Sequence, residues 1–239
     1  MKSLNLAFWI GLLLFSVYLL SFSGKLHVMD EFVGFAVGNN LVQHGRADVN
    51  QFIWTNHWHT TPPGLWGQDN NLYTKKAPGI SVAAMPLIWL GHTLPGLNAV
   101  HLGLLLSAIV TAATGSLLFI WLSEQNFSRP IAALAALGYG LATLAWVYAR
   151  FLWEHSVMAF LFLATAWALY RALKRPGESS HHWWPVLLSG ALMAVALSMR
   201  FEAIFAVGLV GLYLFLTTPA ALEDFTWNSL RQAVGNKRR

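Results

Sequence analysis

The stretch AVHLGLLLSAIVTAATGSLLFIWL, Ala99 to Leu122, carries no Asp, Glu, Lys or Arg. It is longer than the roughly 20 apolar residues an α-helix needs to cross the hydrocarbon layer. Reading outward from it, comparable stretches occur at Leu4 to Phe22, Pro130 to Tyr148, Ser156 to Leu173, Trp184 to Met199 and Ala203 to Leu216. The alternating pattern of a membrane β-barrel is absent. Of the 239 residues, 56% are hydrophobic and 10% charged. The expected fold is therefore all-α: a polytopic membrane protein with about six transmembrane helices.

Charge placement orients the helices. A further apolar stretch, Ile80 to Leu94, contains Pro86 and ends near Gly91, His92 and Pro95. If it lies on or dips into the membrane without crossing, then Lys2, the loop Ser123 to Arg129, the loop Arg171 to His182 and the tail Lys237-Arg238-Arg239 share one side. The positive-inside rule makes that side cytoplasmic. Residues 23–79 are then extracytoplasmic, and residues 80–94 form an interfacial or re-entrant helix. Within the outer segment, Glu31 to His44 has a loose helical apolar pattern ending at Gly45 and reads as a second interfacial helix. Arg46 to Asn71, rich in Asn, Trp, His, Gly and Pro, reads as an irregular surface loop. The first span is too long for a signal-peptide core and reads as a retained anchor.

The net charge of +5 is explained by this orientation, so no nucleic-acid partner is expected. The chain has no cysteine, which excludes disulfides and thiolate metal sites. On the outer face the topology collects Asp30, Glu31, His57, His59, Tyr73, Lys75, Lys76, Arg150, Glu154, His155, Arg200 and Glu202. Ionisable side chains at membrane helix ends are costly to desolvate and occupy water or polar cavities. This set offers both proton acceptors and anion binders. Several members also have plainer readings. Asp30-Glu31 can cap the following helix, Lys75 and Lys76 can snorkel at the interface, and Arg200 can pair with Glu202. His57 and His59 would share a face if extended, a weak metal pair without a defined third ligand.

The order of these features resembles the GT-C superfamily of membrane glycosyltransferases, particularly the protein O-mannosyltransferases and the aminoarabinose transferases of lipid A. Asp30-Glu31 follows the first span as that family's acidic motif does. Leu72-Tyr73-Thr74-Lys75-Lys76-Ala77-Pro78-Gly79 is similar to its Tyr-x-Lys-x-Pro-Pro-Gly stretch, with Ala77 in place of the first proline. Tyr148 to His155 resembles its basic-then-acidic outer turn, and Leu197 to Glu202 its later Lys/Arg turn.

The resemblance implies transfer of a sugar from a polyprenyl-phosphate donor to a hydroxyl of a lipid, glycan or protein acceptor, with inversion at the anomeric carbon. Asp30 and Glu31 would be the catalytic residues, with Asp30 the base. Lys75, Lys76, Arg150 and Arg200 would bind the donor phosphate, and Tyr73, Glu154, His155 and Glu202 would line the substrate pocket. No cofactor is expected, and a divalent metal finds support in His57 and His59 alone. The expected setting is a prokaryotic plasma membrane with an extracytoplasmic site. Residues 1–239 read as one transmembrane module lacking the C-terminal part of longer relatives, and a partner membrane subunit would fit that reading. The alternative from another class is a noncatalytic membrane subunit or a lipid or solute carrier. Such carriers place ionisable groups near mid-membrane on broken helices, whereas here they sit at outer helix ends.

Because the chain has no native cysteine, the topology is directly testable. An impermeant thiol reagent applied to intact cells is expected to label Asn56→Cys and to leave Ser180→Cys and Asn236→Cys unlabelled. Labelling at Ser180→Cys without labelling at Asn56→Cys contradicts the orientation.

Overall fold

The computed structural model describes residues 2–57, 64–173 and 184–217. It is mostly helical and divides into two units, 1–200 and 201–239. In the first unit the helices are α1 (Lys2–Leu20), α2 (Met29–His44), α3 (Gly79–Thr93), α4 (Ala99–Glu124), α5 (Arg129–Ala142), α6 (Leu144–Tyr148), α7 (Glu154–Leu173) and α8 (Trp184–Met199). The second unit contains α9 (Ala203–Thr217).

Among the described residues, α4 is the one helix long and apolar enough to cross a membrane. Its 26 residues extend about 39 Å at the α-helical rise. It starts where Asn98 accepts the Val100 N–H at 2.8 Å, so that a side chain satisfies one of the free amides of the first turn. Leu4–Leu20, α3, α8 and Ala203–Tyr213 are shorter apolar helices.

α4 packs against α1, α3, α5 and α7. Its buried positions include Gly103, Ser107, Ala108, Thr111, Ala112, Thr114 and Gly115, and these small residues let neighbouring backbones approach. The core between α1, α4 and α5 consists of Ala7, Ile10, Leu14, Tyr18, Ala108, Ala112, Phe119, Ala132 and Ala136. Several polar side chains of these helices bond across to a neighbouring helix. Ser116 Oγ donates to the Ala7 carbonyl at 2.9 Å, Tyr18 Oη donates to the Gly140 carbonyl at 3.0 Å, and Thr111 Oγ1 bonds Ser156 Oγ at 3.0 Å.

Two expectations from the sequence change. The span expected over Pro130 to Tyr148 is broken: α5 stops at Ala142, Thr143 is extended, and a short α6 follows. The break is held by Thr143 itself, whose hydroxyl donates to the Tyr139 carbonyl at 2.6 Å and accepts the Ala145 N–H at 3.1 Å. The stretch expected as an irregular loop instead contains a 3-10 helix (Asn50–His57) and a hairpin of β1 (Gly64–Trp66) with β2 (Leu72–Thr74). The strands pair antiparallel, Gly64 opposite Thr74 and Trp66 opposite Leu72. Val49, Leu72, Val33, Ala36 and Val37 form a small core beneath, anchoring the hairpin to α2. With this two-stranded hairpin as its one sheet among the described residues, the fold remains all-α. The helices expected at Glu31 to His44 and at 80–94 are present as α2 and α3, and α2 ends at Gly45 in the left-handed conformation.

α3 begins at Gly79 because a side chain there has no room. A Cβ on Gly79 would lie 2.5 Å from the Ser198 carbonyl oxygen and 2.8 Å from the Met199 nitrogen. Glycine thus lets the start of α3 press against the end of α8. Gly79→Ala is expected to cost about 1–3 kcal/mol, the scale of overpacking, and to lower the thermal unfolding temperature in detergent. Gly190→Ala, in α8 with nothing within 4 Å of its added Cβ, serves as the control. Equal unfolding temperatures for the two variants would contradict the close approach.

Candidate active site

Asp30 and Glu31 both fall in the first turn of α2, yet they have opposite environments. Successive residues on a helix point about 100° apart. Glu31 turns inward and is fully buried, while Asp30 keeps 50% of its side chain exposed. Burying a carboxylate is costly without partners, and Glu31 has them. Its Oε2 accepts the N–H groups of His27 at 2.6 Å and Val28 at 3.2 Å, completing the cap of α2. Its Oε1 accepts the N–H of Leu152 at 2.9 Å, 121 residues away. His27 Nδ1 lies 3.8 Å from Oε2.

Asp30 faces the stretch before α3. Lys76 Nζ lies 2.7 Å from Asp30 Oδ2, and the Lys76 side chain is half-exposed. Lys75 is exposed beside it. Lys76 N–H donates to Thr74 Oγ1 at 3.0 Å, so the turn carrying both lysines is fixed to the end of β2.

The turn between α6 and α7 is the third component. Arg150 lies 5.9 Å over the Phe151 ring, and Phe151 meets His27 edge-on at 5.3 Å. Tyr148 and His155 are stacked at 4.5 Å, and Trp153 packs 5.6 Å from each. Arg200 closes the arrangement from the end of α8: its Nη1 donates to Glu154 Oε1 at 3.3 Å and lies 3.4 Å from His155 Nε2. A guanidinium only donates, so in this contact His155 Nε2 accepts, and Nδ1 is the ring's other polar atom. That Nδ1, together with Arg150 Nε and Trp153 Nε1, is buried without a hydrogen-bond partner among the described residues. An unsatisfied buried polar group costs about 1–3 kcal/mol, so the turn retains unused hydrogen-bonding capacity.

These contacts form a closed circuit. Residues 27–31 bond to residues 150–155 through Glu31 and His27, and Asp30 bonds to Lys76. Gly79 seats that stretch against Ser198 and Met199, and Arg200 returns to Glu154 and His155. Asp30, Glu31, Lys76, Glu154, His155 and Arg200 thus belong to one assembly, with Lys75 and Arg150 on its segments.

Tyr73 is held within the hairpin. Its hydroxyl donates to Asp69 Oδ2 at 2.7 Å. Hydrogen bonds from Asn71, then from Tyr73, hold the Asp69 carboxyl below its usual range, and the Asp69 carboxylate raises the Tyr73 phenol. Glu202 belongs to the second unit, where its carbonyl accepts the Phe205 N–H at 3.2 Å. His59 lies outside the described residues, and of His57 the backbone alone is described, within the 3-10 helix. Among the described residues no group of three His, Asp or Glu is arranged to hold a metal ion.

Sequence reasoning does not reach Trp153, Tyr148, His27 or the Leu152 amide. The signal available for Glu31 was its place three residues after Val28, the spacing of a capping carboxylate, but the Leu152 bond has no local signature.

Chemically, the assembly combines an accessible carboxylate with several fixed cations and an aromatic turn holding unpaired polar atoms. Such a set can take a proton from a hydroxyl and stabilise a departing anion. Searches of curated proteins and of solved structures give no match. Residues 81–229, more than half of the chain, match the family described as dolichyl-phosphate-mannose-protein mannosyltransferase. The match contains Arg150, Glu154, His155, Arg200 and Glu202 and begins after the segments that carry Asp30 and the lysines. The chain belongs to the dolichyl-phosphate-mannose-protein mannosyltransferase family, membrane glycosyltransferases of the GT-C type.

Proposed function

We propose that this protein transfers a sugar from a polyprenyl-phosphate donor to an acceptor hydroxyl at the extracytoplasmic face, with inversion, and that about six spans hold the site there. The observation that carries this reading is the circuit joining Asp30, Lys76, the 150–155 turn and Arg200. Asp30 accepts the hydroxyl proton. The acceptor oxygen then attacks the anomeric carbon from the face opposite the phosphate, the carbon–oxygen bond to phosphate breaks, and its electron pair leaves on the phosphate oxygen. Lys75, with Arg150 and Arg200, stabilises that oxygen by charge-assisted hydrogen bonds. Lys76 orients Asp30, its partner at 2.7 Å. Glu154 and His155 orient Arg200.

The roles separate in variants of the full-length protein in native membranes. Asp30→Asn keeps size and hydrogen bonding but cannot accept the proton, so turnover is expected to fall by about 10²–10⁴-fold with donor-lipid binding retained. Lys75→Met keeps the apolar stem, and binding of a polyprenyl phosphate is expected to weaken by about 1–3 kcal/mol. Near-normal transfer by Asp30→Asn would remove it as the base, and unchanged lipid binding by Lys75→Met would move the phosphate elsewhere.

A further inference from the structure

Asp30 can act on a bound donor only if the start of α2 stays in register with the turn carrying Arg150 and Trp153. The link between those segments is Glu31. Its two oxygens serve different partners: Oε2 takes the His27 and Val28 amides, and Oε1 takes Leu152. The first set is local, within four residues, whereas the second spans 121 residues of sequence. Leu152 itself is 1% exposed, so its N–H has no water to bond instead. An accessible acid one residue from a sealed one also divides the labour physically. The exposed carboxylate meets solutes, and the sealed one meets backbone.

We infer that Glu31 is a positioning residue, whose carboxylate ties the helix start bearing Asp30 to the α6–α7 turn and so fixes the distance between base and donor. This inference rests on the reading of Asp30 as the base. Glutamine at position 31 preserves shape but turns one oxygen into an N–H donor. The amide oxygen stays with the two local N–H groups, where it gains two bonds, and the NH₂ faces the Leu152 N–H as donor against donor. The cap of α2 survives while the long-range tie is lost.

The test uses the full-length protein in nanodiscs with a polyprenyl-phosphate sugar as donor. For Glu31→Gln, kcat per donor-binding site is expected to fall about 10–100-fold, the scale of a misplacement near 1 Å, with donor KM changed less. Amide exchange is expected to accelerate in the peptide containing Leu152 and to stay slow at the start of α2. Glu31→Asp retains the charge on a shorter arm and is expected to recover part of the rate; it is read in place of Glu31→Gln if that variant does not accumulate.

Three results overturn the inference. One is wild-type kcat with the Leu152 peptide exchanging freely. Another is loss of transfer in Glu31→Gln while Asp30→Asn keeps it, which makes Glu31 the base. The last is a fall in total activity matched by an equal fall in folded, donor-binding protein for both variants, with kcat per donor-binding site unchanged, which makes Glu31 a cap alone. Failure of the Asp30 reading is distinguishable, because Asp30→Asn would then retain transfer while Leu152 exchange still reports the tie.

Discussion

The buried carboxylate of Glu31 ties the start of α2 to the turn between α6 and α7. Glu31 sits with no exposed surface and gives both oxygens to backbone amides from two distant parts of the chain. Its desolvation is offset by these charge-assisted bonds, which are stronger than neutral ones. The neighbouring residue, Asp30, inherits its position from that anchorage. The salt bridge from Asp30 to Lys76 then brings in the β2–α3 turn, and the contact of Gly79 with Ser198 and Met199 brings in the end of α8.

The opposite end of α4 carries a second polar cluster of different character. Glu124 accepts from Trp167 Nε1 at 3.0 Å and pairs with Arg171 at 3.3 Å, and its carbonyl accepts from Tyr170 at 3.2 Å. Arg171 also lies 4.7 Å over the Trp167 ring. These contacts clamp the ends of α4 and α7 together. Among the described residues, Trp121 Nε1 near this cluster and Arg150 Nε, Trp153 Nε1 and His155 Nδ1 in the candidate active site are buried without a hydrogen-bond partner.

Much of the helical framework was legible in the sequence because it follows from apolar length. α1, α4, α7, α8 and α9 lie where uninterrupted hydrophobic runs place them. The break at Thr143 was hidden, since Leu141-Ala142-Thr143-Leu144 is as apolar as any continuous helix and the hydroxyl's dual bonding shows only in three dimensions. The hairpin was hidden for a related reason. Its strands are three residues long, and their register depends on Val49 and Asp48 pairing with β2 from outside the hairpin. At the site, residue types could be chosen from chemistry and family resemblance, but not their division of labour. Asp30 and Glu31 are near equivalents in sequence, and they part company because Leu152, remote in sequence, offers its N–H to one of them.

In the proposed reaction the donor's phosphate lies between the lysine turn before α3 and the turn between α6 and α7. Photo-crosslinking with a polyprenyl phosphate bearing a diazirine beside the phosphate, mapped by mass spectrometry, measures this directly. Adducts are expected within residues 73–79 and 148–155, reduced by excess unlabelled polyprenyl phosphate. Adducts confined to the Glu124, Trp167 and Arg171 cluster, or insensitive to competition, would contradict it.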